Sequence, residues 1–439
     1  MPDLLLAAVA DDDTGASDLA GMLAERGLRV ILVIDLPEPE KLAEWACGHE
    51  AIVVATATRA IAPRDAYEKT RAAVNRLRAL KPRQIQLKYC STFDSTEKGN
   101  IGPSIDAAMD ELDEKFTVAL PALPVNGRTT FFGHHFVHGE LLSDSPMSRH
   151  PLNPMTNPNL VKHLQWQTRR KVGLADFRYV NAGADALRSR LRQLAQEFDI
   201  VIVDCIDNDQ VSIICDAIAG MALITGSSAP GIGLPGVWRR LGWWKPEAGV
   251  QQERVAEDSA GCLFIAGSCS VATRAQNRWL LAQGAEHFEI DPKTLLESKP
   301  AQLEAIAVRA GQAIAAGRRV LITTASEPDV VKRTQEWAAA QGKSAEQIGL
   351  EIAGALARFC QMIVERQKPA GLVLAGGETS SAICRQLCFG ALRVGANIEP
   401  GVPICRTLDP ARLPVVLKSG NFGSEDFFGR AERALRTPA

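Results

Sequence analysis

An uninterrupted apolar run, Leu4 to Ala10, stops at Asp11-Asp12-Asp13-Thr14-Gly15. Its length and its lack of alternation describe a strand buried on both faces, as in a parallel sheet covered by helices. Such sheets bind ligands just outside the carboxyl ends of their strands. Three carboxylates in sequence repel one another, and each raises its neighbours' pKa unless a cation or hydrogen-bond donors compensate. Capping of a helix over Ala16–Arg26 would account for one acidic residue. It does not account for three, so the segment reads as a site that handles ligand hydroxyls, a proton or a metal.

Short apolar runs then alternate with helical stretches. Strands are expected at Arg29–Ile34, Ala51–Ala55, Gln84–Lys88, Thr117–Leu120 and Ile200–Asp204, with helices at Arg64–Leu80 and Gly102–Leu112. The alternation restarts at Cys262–Ala266, Arg319–Thr323, Gly371–Leu374 and Val415–Lys418, with helices around Leu303–Ala316 and Ala345–Glu365. The expected class is α/β, in two domains, each a mainly parallel sheet flanked by helices. A chain of 439 residues exceeds one ordinary core. The polar stretch after Trp244 reads as a linker, residues 246–260, between domains 1–245 and 261–439. Residues 121–160 break the alternation and read as a long functional loop or lid.

A net charge of -2 without a basic run argues against nucleic-acid binding. The opening Met1-Pro2-Asp3 lacks the positive region of a signal peptide, and no stretch reaches the length of a membrane span. The ten cysteines are scattered without a CxxC pair, which reads as reduced, buried small residues of a cytoplasmic protein. His134, His135, His138 and His150 crowd the long loop. Glycines at 133 and 139 argue against a shared helix face for His134 and His138, and no Glu or Cys completes a zinc pattern. Structural or substrate-contacting histidines are the expectation.

Three segments of the second half run from strand through a small-residue turn into a helix. They are Ala266-Gly267-Ser268-Cys269-Ser270, Ala375-Gly376-Gly377-Glu378-Thr379-Ser380 and Ser419-Gly420-Asn421-Phe422-Gly423. Glycine lets the backbone approach a ligand, and the helix N-terminus behind it offers free N–H groups to an anion. One such turn is commonly only a tight connection; three in one domain point to phosphate or nucleotide. None fits the P-loop or dinucleotide pattern, which disfavours a nicotinamide oxidoreductase. In the first half, Lys88-Tyr89-Cys90-Ser91-Thr92-Phe93-Asp94-Ser95-Thr96 gathers a lysine, hydroxyls and a carboxylate at a strand end, and Arg59 ends another such run. The set suits a small polyhydroxylated anion; the plainer readings are a solvated lysine and a surface ion pair.

These residues resemble the four-carbon acid sugar kinase family. The resemblance runs nearly end to end and rests on ADDDTGASD at 10–18, KYCSTFDSTEKGNIGP at 88–103, GSCS at 267–270, GGETS at 376–380 and LKSGNFGSEDFF at 417–428. It implies an N-terminal sugar-acid-binding domain, a C-terminal nucleotide-binding domain, an active site in the cleft between them, and ATP-dependent phosphorylation of a terminal hydroxyl. The CSTFDST form is similar to the branch acting on 3-oxo-tetronate at O4. Threonate, erythronate and 3-oxo-isoapionate remain alternatives. The chain departs from the family at Asp13, where Phe or Leu is more common. On the same basis Asp12 is expected to accept the attacking hydroxyl's proton, with Asp94 as the rival base. Asp11, Ser91, Thr92 and Ser95 would bind hydroxyls or the oxo group, and Arg59 and Lys88 the substrate carboxylate. Ser268, Gly376, Gly377, Glu378, Thr379, Gly420 and Gly423 would cradle ATP, with Mg²⁺ on a carboxylate the sequence does not single out. A homodimer is compatible with the sequence. A non-catalytic sensor of sugar acids would keep the carboxylates but would not need the three glycine turns.

Overall fold

The computed structural model describes residues 4–149, 153–246, 259–297, 300–325, 327–408 and 412–436. The chain divides into two compact units between Ala248 and Gly249. Much of the expected linker lies outside the described residues, as does His150.

The first unit contains strands β1 (Leu6–Ala10), β2 (Val30–Ile34), β3 (Ala51–Ala55), β4 (Gln84–Lys88), β5 (Thr117–Leu120), β6 (Arg128–Phe131), β7 (His134–Val137), β8 (Glu140–Leu141), β9 (Val172–Ala175), β10 (Ile200–Val203) and β11 (Leu223–Gly226). Its main sheet runs β2-β3-β1-β4-β11-β5-β10-β9. Every neighbouring pair is parallel. All five residues of β1 are buried, as a strand covered on both faces requires. The helix Pro63–Ala79 buries Ala66, Thr70, Ala73, Val74 and Leu77, one stripe at helical spacing, with Pro63 at its first turn. From β1 the chain moves to β2 and β3 on one side, then crosses to β4 on the other. That reversal opens a crevice at the carboxyl ends of β1 and β4, where Ala10 is paired with Lys88.

Residues 121–160 are not a loop without structure of its own. Strands β6, β7 and β8 form a small antiparallel sheet within them. The strands are two to four residues long, and Gly127, Phe132, Gly133, His138 and Gly139 turn the chain with positive φ. Elements that short leave no period to read. The meander is tied down by Asp204, which accepts from the backbone N–H groups of Phe132 (2.6 Å), Gly133 (2.9 Å) and Phe177 (3.0 Å).

The second unit contains β12 (Leu263–Ala266), β13 (Glu286–Ile290), β14 (Val320–Thr324), β15 (Leu372–Ala375), β16 (Ala391–Glu399), β17 (Val402–Thr407) and β18 (Pro414–Lys418). They are ordered β13-β14-β12-β15-β18-β17-β16. The first four pairings are parallel and the last two antiparallel. The sequence reading passed over β13 and β16, which alternate buried with half-exposed or exposed residues instead of forming apolar runs. One helix window, Gln347–Arg366, is long and apolar enough to cross a membrane, and 44% of it is buried inside the protein.

Gly226 closes β11 at φ +151°, and a Cβ there would run into the Leu120 carbonyl. Gly226→Ala is therefore expected to destabilise the first unit by at least about 2 kcal/mol, read as a lowered urea midpoint.

Candidate active site

Asp11 and Asp12 follow β1 directly, and one arginine serves both. Arg59 donates to the two oxygens of Asp11 through Nε and Nη2, each at 2.9 Å, and pairs through Nη1 with Asp12 Oδ2 at 2.9 Å. Asp12 also caps the helix Asp13–Glu25, accepting from the Gly15 N–H at 2.7 Å and from the Thr14 hydroxyl at 2.8 Å. The Arg59 loop is itself held. Asn100 Nδ2 donates to the carbonyls of Thr58 (2.7 Å), Arg59 (3.1 Å) and Ile61 (2.7 Å). Lys88 is buried at the end of β4 and donates to the Tyr89 carbonyl at 3.1 Å. A Cβ at residue 15 would strike Asp12 Oδ1 and lie 2.8 Å from Lys88 Nζ, so glycine is what lets the helix start against the charged pair.

This geometry separates the two carboxyls. Burial raises Asp11 and outweighs Arg59, so its carboxyl lies above the ordinary value. Burial acts on Asp12 too, but the Arg59 and Lys88 charges and the Thr14 and Gly15 donors hold it below the ordinary value. One cation shared by two anions leaves one of them less compensated, and that one is Asp11. Both carboxylates have engaged oxygens: Asp11 is held by Arg59 alone, and Asp12, expected as the proton acceptor, by Arg59, Thr14 and Gly15. Arg59, expected on the substrate carboxylate, spends its donors on the two aspartates. Asp13 opens the helix and is buried.

The segment after β4 is less open than its hydroxyls suggest. Ser95 is 4% exposed; its Oγ donates to the Phe93 carbonyl at 2.9 Å and accepts from Gln167 Nε2 at 2.9 Å. Thr92 is also buried, with its Oγ1 2.9 Å from Cys90 Sγ. Ser95, expected to bind substrate, thus has its Oγ engaged within the protein and pins the segment. Asp94 lines the same cavity as Asp11, Arg59 and Lys88, and Ser91 is half-buried. Two histidines fix the backbone here. His135 Nε2 donates to the Ser91 carbonyl at 2.8 Å while its Nδ1 lies 3.0 Å from Thr130 Oγ1. His163 Nε2 donates to the Ser95 carbonyl at 3.1 Å. His134 and His138 contact the Phe132 carbonyl and Arg128 instead. Among the described residues no group of three or more His, Cys, Asp or Glu is arranged to hold a metal. Six of the ten cysteines are buried as expected, but Cys47, Cys269 and Cys388 are exposed and Cys90 is half-buried.

In the second unit, β12, β15 and β18 are neighbours, so the three glycine turns lie side by side. Their contacts are close. A Cβ on Gly267 would strike Thr379 Oγ1, and one on Gly420 would strike Ser268 Oγ. Gly376 adopts φ +123°. The turns border a cavity of about 500 Å³, in the range of small-molecule sites. Its far wall is apolar, with Pro292, Val331, Ile348 and Ile352, and Glu378 stands at its rim. A cradle of backbone and hydroxyls facing an apolar slot fits a nucleotide's phosphates and base. Gly423 is not on the cavity; its carbonyl accepts from Gln276 at 2.9 Å, and a Cβ there would meet the Phe427 ring.

Lys418 and Gln276 were not singled out from sequence. Lys418 is fully buried, and its Nζ donates to the carbonyls of Ser419 (2.9 Å), Gly420 (3.0 Å) and Phe422 (3.1 Å) and to Thr273 Oγ1 (3.0 Å). Gln276 Nε2 takes the carbonyls of Phe422, Gly423 and Ser424, and the Ser270 and Thr273 hydroxyls take that of Gly420. With its carbonyls drawn inward, the turn is free to present N–H groups to an anion. The signal was in the sequence only as a lysine at the end of an apolar strand.

Family models match a sugar-binding N-terminal domain over residues 6–233 and a nucleotide-binding C-terminal domain over residues 263–428. The 3-oxo-tetronate kinase of Cupriavidus necator is 41% identical over 440 residues, covering 98% of this chain and 97% of that protein. The 3-oxo-tetronate kinase of Pseudomonas savastanoi pv. phaseolicola is 40% identical over 438 residues, with the same coverage. The crystal structure of Haemophilus influenzae protein HI1011 superposes with a TM-score of 0.76 at 33% identity, covering 98% of this chain and 100% of that one. A sugar-binding half and a nucleotide-binding half define a two-domain kinase. The chain belongs to the four-carbon acid sugar kinase family.

Two outcomes follow from the pinned segments. Burial lowers Lys418 to about 8, so its ammonium loses a donor as pH rises through that value. The KM for ATP should rise above pH 8, and Lys418→Met should raise it about tenfold or more at pH 7 in steady-state assays. Burial lowers His135 from 6.5 to about 4. The unfolded chain then binds more protons between those values, so stability falls as pH drops from 6.5 to 4. The loss should reach up to about 3 kcal/mol in urea titrations and be absent from His135→Asn.

Proposed function

We propose that the chain is an ATP-dependent kinase that phosphorylates the terminal O4 hydroxyl of 3-oxo-tetronate in the cytoplasm. The observation that carries this reading is the Asp11–Asp12 pair bridged by Arg59 beside buried Lys88, at the carboxyl end of a sugar-binding sheet. Named relatives at 40–41% identity over nearly the full chain supply the substrate. Carboxylates suit the hydroxyls of a sugar acid, and Lys88 adds positive charge for its anionic end.

Transfer moves the γ-phosphoryl group to the acceptor oxygen as the bond to the β–γ bridging oxygen breaks; the hydroxyl proton goes to a carboxylate and ADP departs. Such a reaction asks mainly for positioning and charge stabilisation. Asp11, the carboxyl held higher, is the better proton acceptor by Brønsted reasoning. Asp12 orients Arg59 and the helix start, and Asp94 remains a rival base from the same cavity. The Ser268, Gly376, Gly377, Thr379 and Gly420 cradle takes the phosphates, and Glu378 suits ribose hydroxyls. ATP brings Mg²⁺, which keeps most of its waters and needs one or two carboxylates at most. Bound there, the ion would neutralise phosphate charge.

The test is ADP release with Mg-ATP against 3-oxo-tetronates generated in situ, threonate, erythronate and 3-oxo-isoapionate. Turnover confined to a 3-oxo-tetronate is expected. Turnover only on another acid would move the chain to that branch, and ATP binding with no turnover would favour a sensor. Asp11→Asn should lower kcat about 100-fold or more with the KM for ATP unchanged. A larger loss in Asp94→Asn with Asp11→Asn near wild type would transfer the base assignment to Asp94.

A further inference from the structure

Arg59 is engaged by two aspartates, which leaves Lys88 as the cation beside them and room for a second. Arg128 begins β6, just past the carboxyl end of β5, where its N–H donates to the Leu123 carbonyl. Its guanidinium touches only the Asn126 carbonyl and His138 Nε2, and its buried Nε has no partner among the described residues. It forms no ion pair there. Asp18, on the second turn of the helix that Asp12 caps, lies within electrostatic range of Arg128. Asp18 is 8% exposed; Oδ2 accepts from the Ser228 hydroxyl at 2.5 Å, and Oδ1 is buried without a partner.

The two charges feel each other without closing into a salt bridge. Asp18 is also within electrostatic range of Lys88 and Asp12, and Arg128 of Asp18 and Cys90. In sequence these groups follow the carboxyl ends of β1, β4, β11 and β5. A half-buried guanidinium whose buried Nε has no partner among the described residues, beside a buried carboxylate with one unpartnered oxygen, is costly unless something completes both. A short hydroxy acid has the matching ends.

We propose that Arg128 binds the substrate's carboxylate and that Asp18, oriented by Ser228, accepts a hydroxyl of the same molecule. The inference rests on the sugar-acid reading above. It makes the meander a specificity element: β6 carries the cation that separates a sugar acid from a neutral sugar, and His135 fixes that meander to the Ser91 backbone.

The experiment compares wild type with Arg128→Gln and Asp18→Asn, with thermal melts to check the fold. Arg128→Gln should raise the KM for the sugar acid about 10- to 100-fold and leave the KM for ATP unchanged. It should also shrink the preference for the acid over the uncharged four-carbon ketose erythrulose, which a general folding defect would not do. An unchanged KM and unchanged preference would overturn the proposal. Titration with threonate in the absence of nucleotide separates this from the functional reading. Threonate binding by wild type that is lost in Arg128→Gln supports the subsite even when no acid is phosphorylated, an outcome that counts against the kinase substrate alone. Equal binding by the two proteins, or none by wild type, overturns the subsite.

Discussion

One arginine between two aspartates is the constraint on which the sugar-binding half depends. Asp11 and Asp12 cannot both ionise side by side at a strand end without a cation. Arg59 supplies it with three donors in fixed geometry, which a lysine's single ammonium could not match. Much of the surrounding structure serves that arrangement. Asn100 holds the Arg59 loop by three carbonyls. Gly15 keeps the helix start clear of Asp12 and Lys88. Capping and chemistry, which compete as readings of the aspartate run, are here one device: Asp12 caps the helix and, by the same contacts, keeps a low pKa.

The nucleotide-binding half solves a different problem by similar means. A turn offers either its N–H groups or its carbonyls to a neighbour, and an anion site needs the former. Buried Lys418, Gln276 and Thr273, with half-buried Ser270, hold the carbonyls of Ser419, Gly420, Phe422, Gly423 and Ser424. Buried polar groups of this kind are tolerated because each donor finds an acceptor. Both halves thus surround their candidate site groups with side chains that hydrogen-bond to the backbone and set its geometry.

The loop segment of residues 121–160 changes its meaning in the fold. As sequence it was a polar interruption with too many histidines. Folded, it is a small sheet held by Asp204 and by His135, and it carries Arg128 toward the strand ends. Among the described residues the histidines form no cluster arranged to hold a metal. His135 and His163 take the carbonyls of Ser91 and Ser95, and so secure the segment that holds Asp94.

The sequence by itself determined the α/β class and most of the buried strands, though not β9, β11 or β17, and it singled out the segments that form both candidate sites. Those features are written locally: a strand covered on both faces must be an apolar run, and a turn that approaches a ligand must be built from glycine and small hydroxyls. Strands β1, β3, β4, β5, β12 and β15 fell where the apolar runs are, to within a residue or two. Short or alternating strands such as β6, β8, β13 and β16 carried no comparable signal. The tertiary structure alone decided which charge meets which. Arg59 lies 48 residues from Asp11, Ser228 lies 210 residues from Asp18, and Lys418 lies 145 residues from Thr273. No local pattern records such pairings, because they arise from strand order. For the same reason Ser95 is hydrogen-bonded to Phe93 and Gln167, and Arg128, unremarked in sequence, begins β6 within electrostatic range of Asp18.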